Sequence, residues 1–128
     1  MKPATVLLVD DEVLITEMLT EALGDSGYEV VVANDGETAL ALIDRAGPMF
    51  AALVTDINIG EGTDGWSVAR RARALCPELP VVYTTGGAAG EWAVNGVPGS
   101  VLVLKPFSVG KIIGALAAVV SGGDRKTG

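Results

Sequence analysis

Short apolar runs of strand length alternate along this chain with longer segments of helical apolar period, and this alternation restricts the fold more than any other feature. Thr5 to Val9 (TVLLV) is a continuous, β-branched-rich run that stops abruptly at Asp10, Asp11 and Glu12, as a strand buried on both faces would. From Glu12 onward Val13, Leu14, Met18, Leu19, Ala22 and Leu23 recur at helical spacing until Gly24 supplies a stop. The same pair of signals then predicts a strand over Glu29 to Ala33, a helix over Gly36 to Ala46, a strand over Ala51 to Thr55 and a helix over Trp66 to Leu75, closed by Pro77. Pro80 to Thr84 and Ser100 to Leu104 read as two further strands, and the Gly-rich stretch between them has room for only a short helix. Ser108 caps a last helix running to Val120. Strands and helices alternating at this spacing form right-handed βαβ units. The expected fold is therefore α/β, a doubly wound parallel sheet of five strands with five helices over its two faces.

A chain of 128 residues is long enough for one hydrophobic core and too short for two, so residues 1–120 are expected to form one domain. The polar tail 121–128 is expected to be disordered. No apolar run approaches the roughly 20 residues that cross a bilayer, so the expected address is the cytoplasm, with no membrane partner. The net charge of -7, without a basic stripe, repels a phosphate backbone and excludes nucleic acid as an expected partner. Cys76 stands alone, which permits neither an internal disulfide nor a thiolate metal cage, and reads as a core residue. The chain has no histidine, so Ser-His and Cys-His nucleophilic machinery and imidazole-bound zinc are excluded. Carboxylates, hydroxyls and lysine remain to do chemistry.

Those residue types fall where an open parallel sheet binds ligands, outside the carboxyl ends of its strands. The first strand ends in Asp10 and Asp11, the third in Asp56, the fourth in Thr84 and Thr85, and the fifth in Lys105. If the first and third strands are neighbours, three carboxylates converge, and their mutual repulsion calls for a cation. Hard oxygen ligands in this number suit Mg²⁺, which commonly shares its coordination with a phosphate oxygen. Each residue also has a plainer reading: Asp10 or Asp11 as a helix cap, Asp56 as a loop acid, the threonines as strand formers, Lys105-Pro106 as a surface turn. None of these explains the ordered set.

Taken together, Val9-Asp10-Asp11-Glu12, Asp56-Ile57-Asn58, Thr85-Gly86 and Lys105-Pro106-Phe107 resemble the receiver domain of two-component response regulators, over Thr5 to Val120. The resemblance implies a flavodoxin-like sheet of strand order 2-1-3-4-5. It implies that Asp56 is the phosphoacceptor, that Asp10, Asp11, Asp56 and the backbone carbonyl of Asn58 hold Mg²⁺, and that Thr85, Gly86 and Lys105 bind the phosphoryl group and switch. Thr85 is preferred to Thr84 because the small Gly86 follows it. The Lys105-Pro106 peptide is expected to be cis. The implied partners are a histidine kinase or a histidine phosphotransfer protein and a downstream protein target. The expected action, as a single-domain response regulator and not an enzyme, is signalling through protein contacts or draining phosphate from a kinase. The oligomeric state stays open.

Two features depart from the family pattern. The segment from Ile57 to Gly65 is one residue longer than common and has Gly60 where proline is frequent, and Leu102 stands where many receivers carry an aromatic residue. Two other functions compete: a Mg²⁺-dependent phosphohydrolase turning over at Asp56, and a receiver-like binding module that is never phosphorylated. The first is disfavoured because Asn58, not a second acid, stands two residues after Asp56; the second because the acidic trio and Lys105 are intact.

Overall fold

A computed structural model of the chain describes residues 4–46, 49–87 and 89–126, the last six of them by backbone alone. Among these, five strands form one sheet: β1 (Thr5–Val9), β2 (Glu29–Ala33), β3 (Ala52–Asp56), β4 (Val81–Thr85) and β5 (Val101–Leu104). All pair in parallel, in the order β2-β1-β3-β4-β5. The helices between and after them are α1 (Val13–Asp25), α2 (Gly36–Ala46), α3 (Gly65–Leu75), a single-turn α4 (Trp92–Asn95) preceded by a 3-10 turn, and α5 (Val109–Lys126).

Side chains alternate across each strand, so each strand supplies two cores. On one face Leu7, Val9, Leu53, Val81 and Tyr83 pack against Ala39 and Ile43 of α2 and Val68, Ala69 and Ala72 of α3. On the other, Val6, Leu8, Val54, Val82 and Val103 pack against Leu19 and Leu23 of α1 and Ile112, Leu116 and Val119 of α5. The apolar stripe of the last helix thus covers the sheet. Trp66, at the start of α3, is buried with its ring centroid 4.9 Å from that of Tyr83. Cys76, expected in the core, is only half-buried, because it lies past the last turn of α3.

Several boundaries differ from the sequence expectation. β3 and β4 begin and end one residue later, because the ladder pairs Asp56 with Thr84 and Thr85 with Leu104. Asp56 and Thr85 are therefore the last residues of buried strands and not loop residues. The expected disordered tail, 121–128, is helical as far as Lys126. Once α5 is nucleated on the sheet each further residue adds a backbone hydrogen bond, and glycine in a helix costs only about 1 kcal/mol against alanine, so Gly122 and Gly123 do not stop it. Residues 127–128 lie outside the described residues. No described helix is long and apolar enough to cross a membrane.

Leu116 is 0% exposed, whereas Leu14 of α1 is 82% exposed. Leu116→Ala is expected to lower unfolding free energy by about 2–5 kcal/mol and Leu14→Ala by less than about 0.5 kcal/mol, measured by urea denaturation. Equal effects would contradict the placement of α5 against the sheet.

Candidate functional site

The strand order reverses at β1, from which the chain winds first to β2 and then back to β3 on the other side. This switch point is where an open α/β sheet leaves a crevice at its carboxyl edge. Asp10 follows β1, Asp56 ends β3, Thr85 ends β4 and Lys105 follows β5.

One carboxylate oxygen from each of Asp10, Asp11 and Asp56 can be chosen so that all lie within 4.8 Å of one another. Asp10 and Asp56 are buried, at 2% and 6% exposure, while Asp11 faces solvent. The Lys105 Nζ donates to Asp56 Oδ2 at 3.0 Å, Asp10 Oδ2 at 3.3 Å and Glu12 Oε1 at 3.2 Å. The Lys105-Pro106 peptide is cis.

Asp10 is not the helix cap it could have been. Glu12 occupies the N-cap of α1 without a side-chain cap, and the Asp10 Oδ1 accepts from the Glu12 N–H at 2.8 Å. Asn34, at the end of β2, donates its Nδ2 to the Asp10 carbonyl at 3.0 Å and fixes the turn from outside. On the far side the Lys105 N–H donates to the Thr85 carbonyl at 2.8 Å, so the lysine and the threonine are placed by one backbone bond. The Thr85 Oγ1 accepts from the Gly87 N–H at 3.2 Å. Gly86 stands beside Lys105, where an added Cβ would come within 4.0 Å of the lysine Cβ. Thr84, one residue earlier, is equally buried and pairs with Asp56 across the ladder.

The electrostatics are those of crowded acids around one ammonium. Burial pushes the Asp56 carboxyl above its ordinary value; the Lys105 hydrogen bond and charge and the Asn58 backbone N–H oppose this, and the negative Asp11 adds to it. Burial likewise raises Asp10, opposed by the Glu12 N–H and reinforced by Asp56. For Lys105, burial works against the charged form, but the Asp56 hydrogen bond and the Asp10 and Asp56 charges outweigh it and hold its pKa above the ordinary lysine value. Two acids raised in the folded state bind protons more tightly there than in the unfolded chain. They cost stability above their folded pKa, and the cost fades as pH falls through it. Lys105, raised as a base, stabilises the fold throughout the neutral range.

Sequence reasoning missed three contributors. Glu12 was read only as part of an acidic cluster, although it shares the Lys105 ammonium. Asn34 gave no local signal, because its partner is across the sheet. Gly65 was read as a loop residue, yet it opens α3, and its N–H donates to the Ile57 carbonyl at 2.7 Å. A Cβ there would overlap the Asp56 carbonyl oxygen and come within 2.8 Å of the Ile57 Cα, so only glycine lets α3 start this close to Asp56.

Comparison with known proteins agrees with this fold. The sequence profile of the response regulator receiver domain matches residues 6–117. The probable transcriptional regulatory protein TcrX of Mycobacterium tuberculosis is 34% identical over 99% of this chain and 52% of its own length. The transcriptional regulatory protein TrcR of the same organism is 33% identical over 92% of this chain and 46% of its own length. The chain thus spans about half the length of these curated relatives. Among solved structures, a response regulator receiver protein from Sinorhizobium medicae superimposes with a TM-score of 0.91 at 37% identity, covering 95% of this chain and 98% of that one. The chemotaxis protein CheY4 of Vibrio cholerae does so at 0.79 and 28% identity, covering 91% and 98%.

Asp11 adds repulsion to the site and lies on no described ion pair. With chelator present, Asp11→Asn is expected to raise the unfolding free energy by roughly 0.5 kcal/mol. At a Mg²⁺ concentration of 100 Kd the wild type should gain about 2.7 kcal/mol and the variant much less. Urea titrations of both proteins with and without Mg²⁺ check this; a variant less stable in chelator would contradict the repulsion.

Proposed function

Since the chain belongs to the response regulator receiver domain family, we propose that Asp56 accepts a phosphoryl group from the phosphohistidine of a partner histidine kinase or histidine phosphotransfer protein. The observation that carries this is one buried carboxylate, Asp56, at a strand end, with an ammonium at 3.0 Å and the carboxylates of Asp10 and Asp11 gathered around it. A phosphohistidine donor lies outside these 128 residues, which contain no histidine.

The three carboxylates and the crowding among them fit a small divalent cation with a preference for hard oxygen ligands. Asp10, Asp11 and Asp56, with the Asn58 carbonyl, would hold Mg²⁺, which when bound supplies positive charge for the phosphoryl oxygens. The remaining work belongs to the chain. The Asp56 carboxylate attacks phosphorus, and an O–P bond forms as the N–P bond of the donor breaks. Lys105, held charged by its acidic neighbours, moves from sharing Asp56 to neutralising a phosphoryl oxygen, so its stabilisation develops as the reaction does. The Asn58 N–H, already directed at the Asp56 carboxylate, keeps the nucleophile oriented. Thr85 and Gly86 border the site from β4 and form the segment through which the adduct is sensed.

On this reading the domain is a signalling phosphoacceptor working in the cytoplasm, with Mg²⁺ as cofactor. Its output is a change in protein contacts, or the removal of phosphate from a kinase. The acidic charge of -7 disfavours DNA contact by these residues themselves.

Incubated with acetyl phosphate and Mg²⁺, the protein is expected to gain one phosphoryl group by intact mass, with none in chelator and none in Asp56→Asn. Lys105→Ala should slow the gain on the order of 100-fold. An adduct that persists in Asp56→Asn at the wild-type rate would overturn the assignment.

A further inference from the structure

The segment between β3 and α3 is anchored at both ends and loose in the middle. Ile57 and Ile59 are buried at 1% and 2% exposure, and the Ile57 N–H donates to the Thr84 carbonyl at 3.0 Å. At the other end Asp64 accepts from the Ser67 N–H at 2.9 Å and caps α3. Between them Gly60 and Gly62 adopt positive φ values of 70° and 94°. Glycine reaches such angles freely and is equally free to leave them, so the tip needs an external tie to hold one conformation.

That tie comes from α2. The Glu37 Oε2 accepts from the Thr63 Oγ1 at 2.7 Å and from the Thr63 N–H at 3.2 Å. The fit is close on both sides: a Cβ on Gly62 would lie 2.9 Å from Glu37 Oε1, and one on the buried Gly36 would lie 2.7 Å from the Thr63 Cβ. The Thr63 hydroxyl and N–H, with Glu37's own N–H, hold the Glu37 carboxyl below its ordinary range, as donors to a carboxylate do. The tip also lies against the acidic site, since a Cβ on Gly60 would be 3.4 Å from Asp11 Oδ2.

We infer that Glu37 is a positioning residue for phosphoryl transfer: with Thr63 it clasps the 57–64 segment to α2 and so holds Asn58 in place beside Asp56. This rests on the phosphoacceptor reading above. Glu37 touches neither the acceptor nor Lys105; it acts through the loop. Releasing the clasp leaves Asp56 and Lys105 where they are, because strands place them, and frees the 60–63 tip, so that the Asn58 carbonyl loses the support of the loop that follows it and Asp11 loses its neighbour at Gly60. The loss should therefore fall on Mg²⁺ binding and spare the reaction once the site is filled.

Thr63→Val is the informative variant, since it removes the donor hydroxyl without changing charge. It is expected to raise the Mg²⁺ concentration for half-maximal phosphorylation by acetyl phosphate about threefold, with the rate at saturating Mg²⁺ within about twofold of wild type. Thr63→Ser should restore the wild-type value. Glu37→Gln should have a similar effect, and the double variant should be no worse than the single ones, because both break one interaction. A second readout needs neither metal nor phosphoryl group: amide hydrogen exchange across residues 60–63 in chelator should be faster in Thr63→Val than in wild type. Unchanged exchange, or effects that multiply in the double variant, would overturn the clasp. A wild type that takes no phosphoryl group would overturn the phosphoacceptor reading instead, and the exchange comparison would still decide the clasp.

Discussion

The Lys105 ammonium, shared among Asp10, Glu12 and Asp56, is the contact that allows so many acids at one edge of the sheet. Two buried carboxylates within reach of each other would each be driven toward protonation, and a neutral Asp56 is a poor nucleophile. Lys105 opposes that drive while remaining charged itself. The arrangement is stable but unsatisfied: one ammonium serves three anions, and Asp10 and Asp56 are still held above their ordinary values. A site left in this condition favours any arriving positive charge, and on the proposed reading the ammonium exchanges an aspartate for a phosphoryl oxygen.

The backbone makes the contact possible. Lys105 is distant in sequence from Asp10, and nothing local brings them together. Parallel pairing in the order β2-β1-β3-β4-β5 sets the ends of β1, β3, β4 and β5 along one edge, and a register shift of one residue would turn every side chain to the opposite face. The two buried layers, on α1 and α5 and on α2 and α3, hold the register. Hydrophobic packing thus fixes the placement of the polar residues.

Much of this was legible in the sequence because it is periodic or positional. The strand-length runs and the helical stripes gave the elements, and the polar residues that interrupt the runs at their carboxyl ends gave Asp10, Asp56, Thr85 and Lys105. What was not legible depends on tertiary proximity. Asn34 and Glu12 look like ordinary loop and helix-start residues until β2 is paired with β1 and the end of β5 is brought to the same edge of the sheet. Gly65 reads as one glycine among 17, and its necessity appears only when the start of α3 is seen against the Asp56 carbonyl. The extent of α5 was misjudged for the opposite reason: the polar composition after Val120 is a local signal, which a helix already anchored to the sheet overrides.

The acceptor assignment is tested most directly by chemistry at the atom itself. Borohydride reduces an acyl phosphate to an alcohol, so a phosphorylated aspartate becomes homoserine, which survives proteolysis and peptide sequencing by mass. After phosphorylation and reduction, homoserine is expected at position 56, with Asp10 and Asp11 unchanged. Homoserine at position 10 or 11, or an adduct carried on a hydroxyl residue that borohydride leaves intact, would contradict the account.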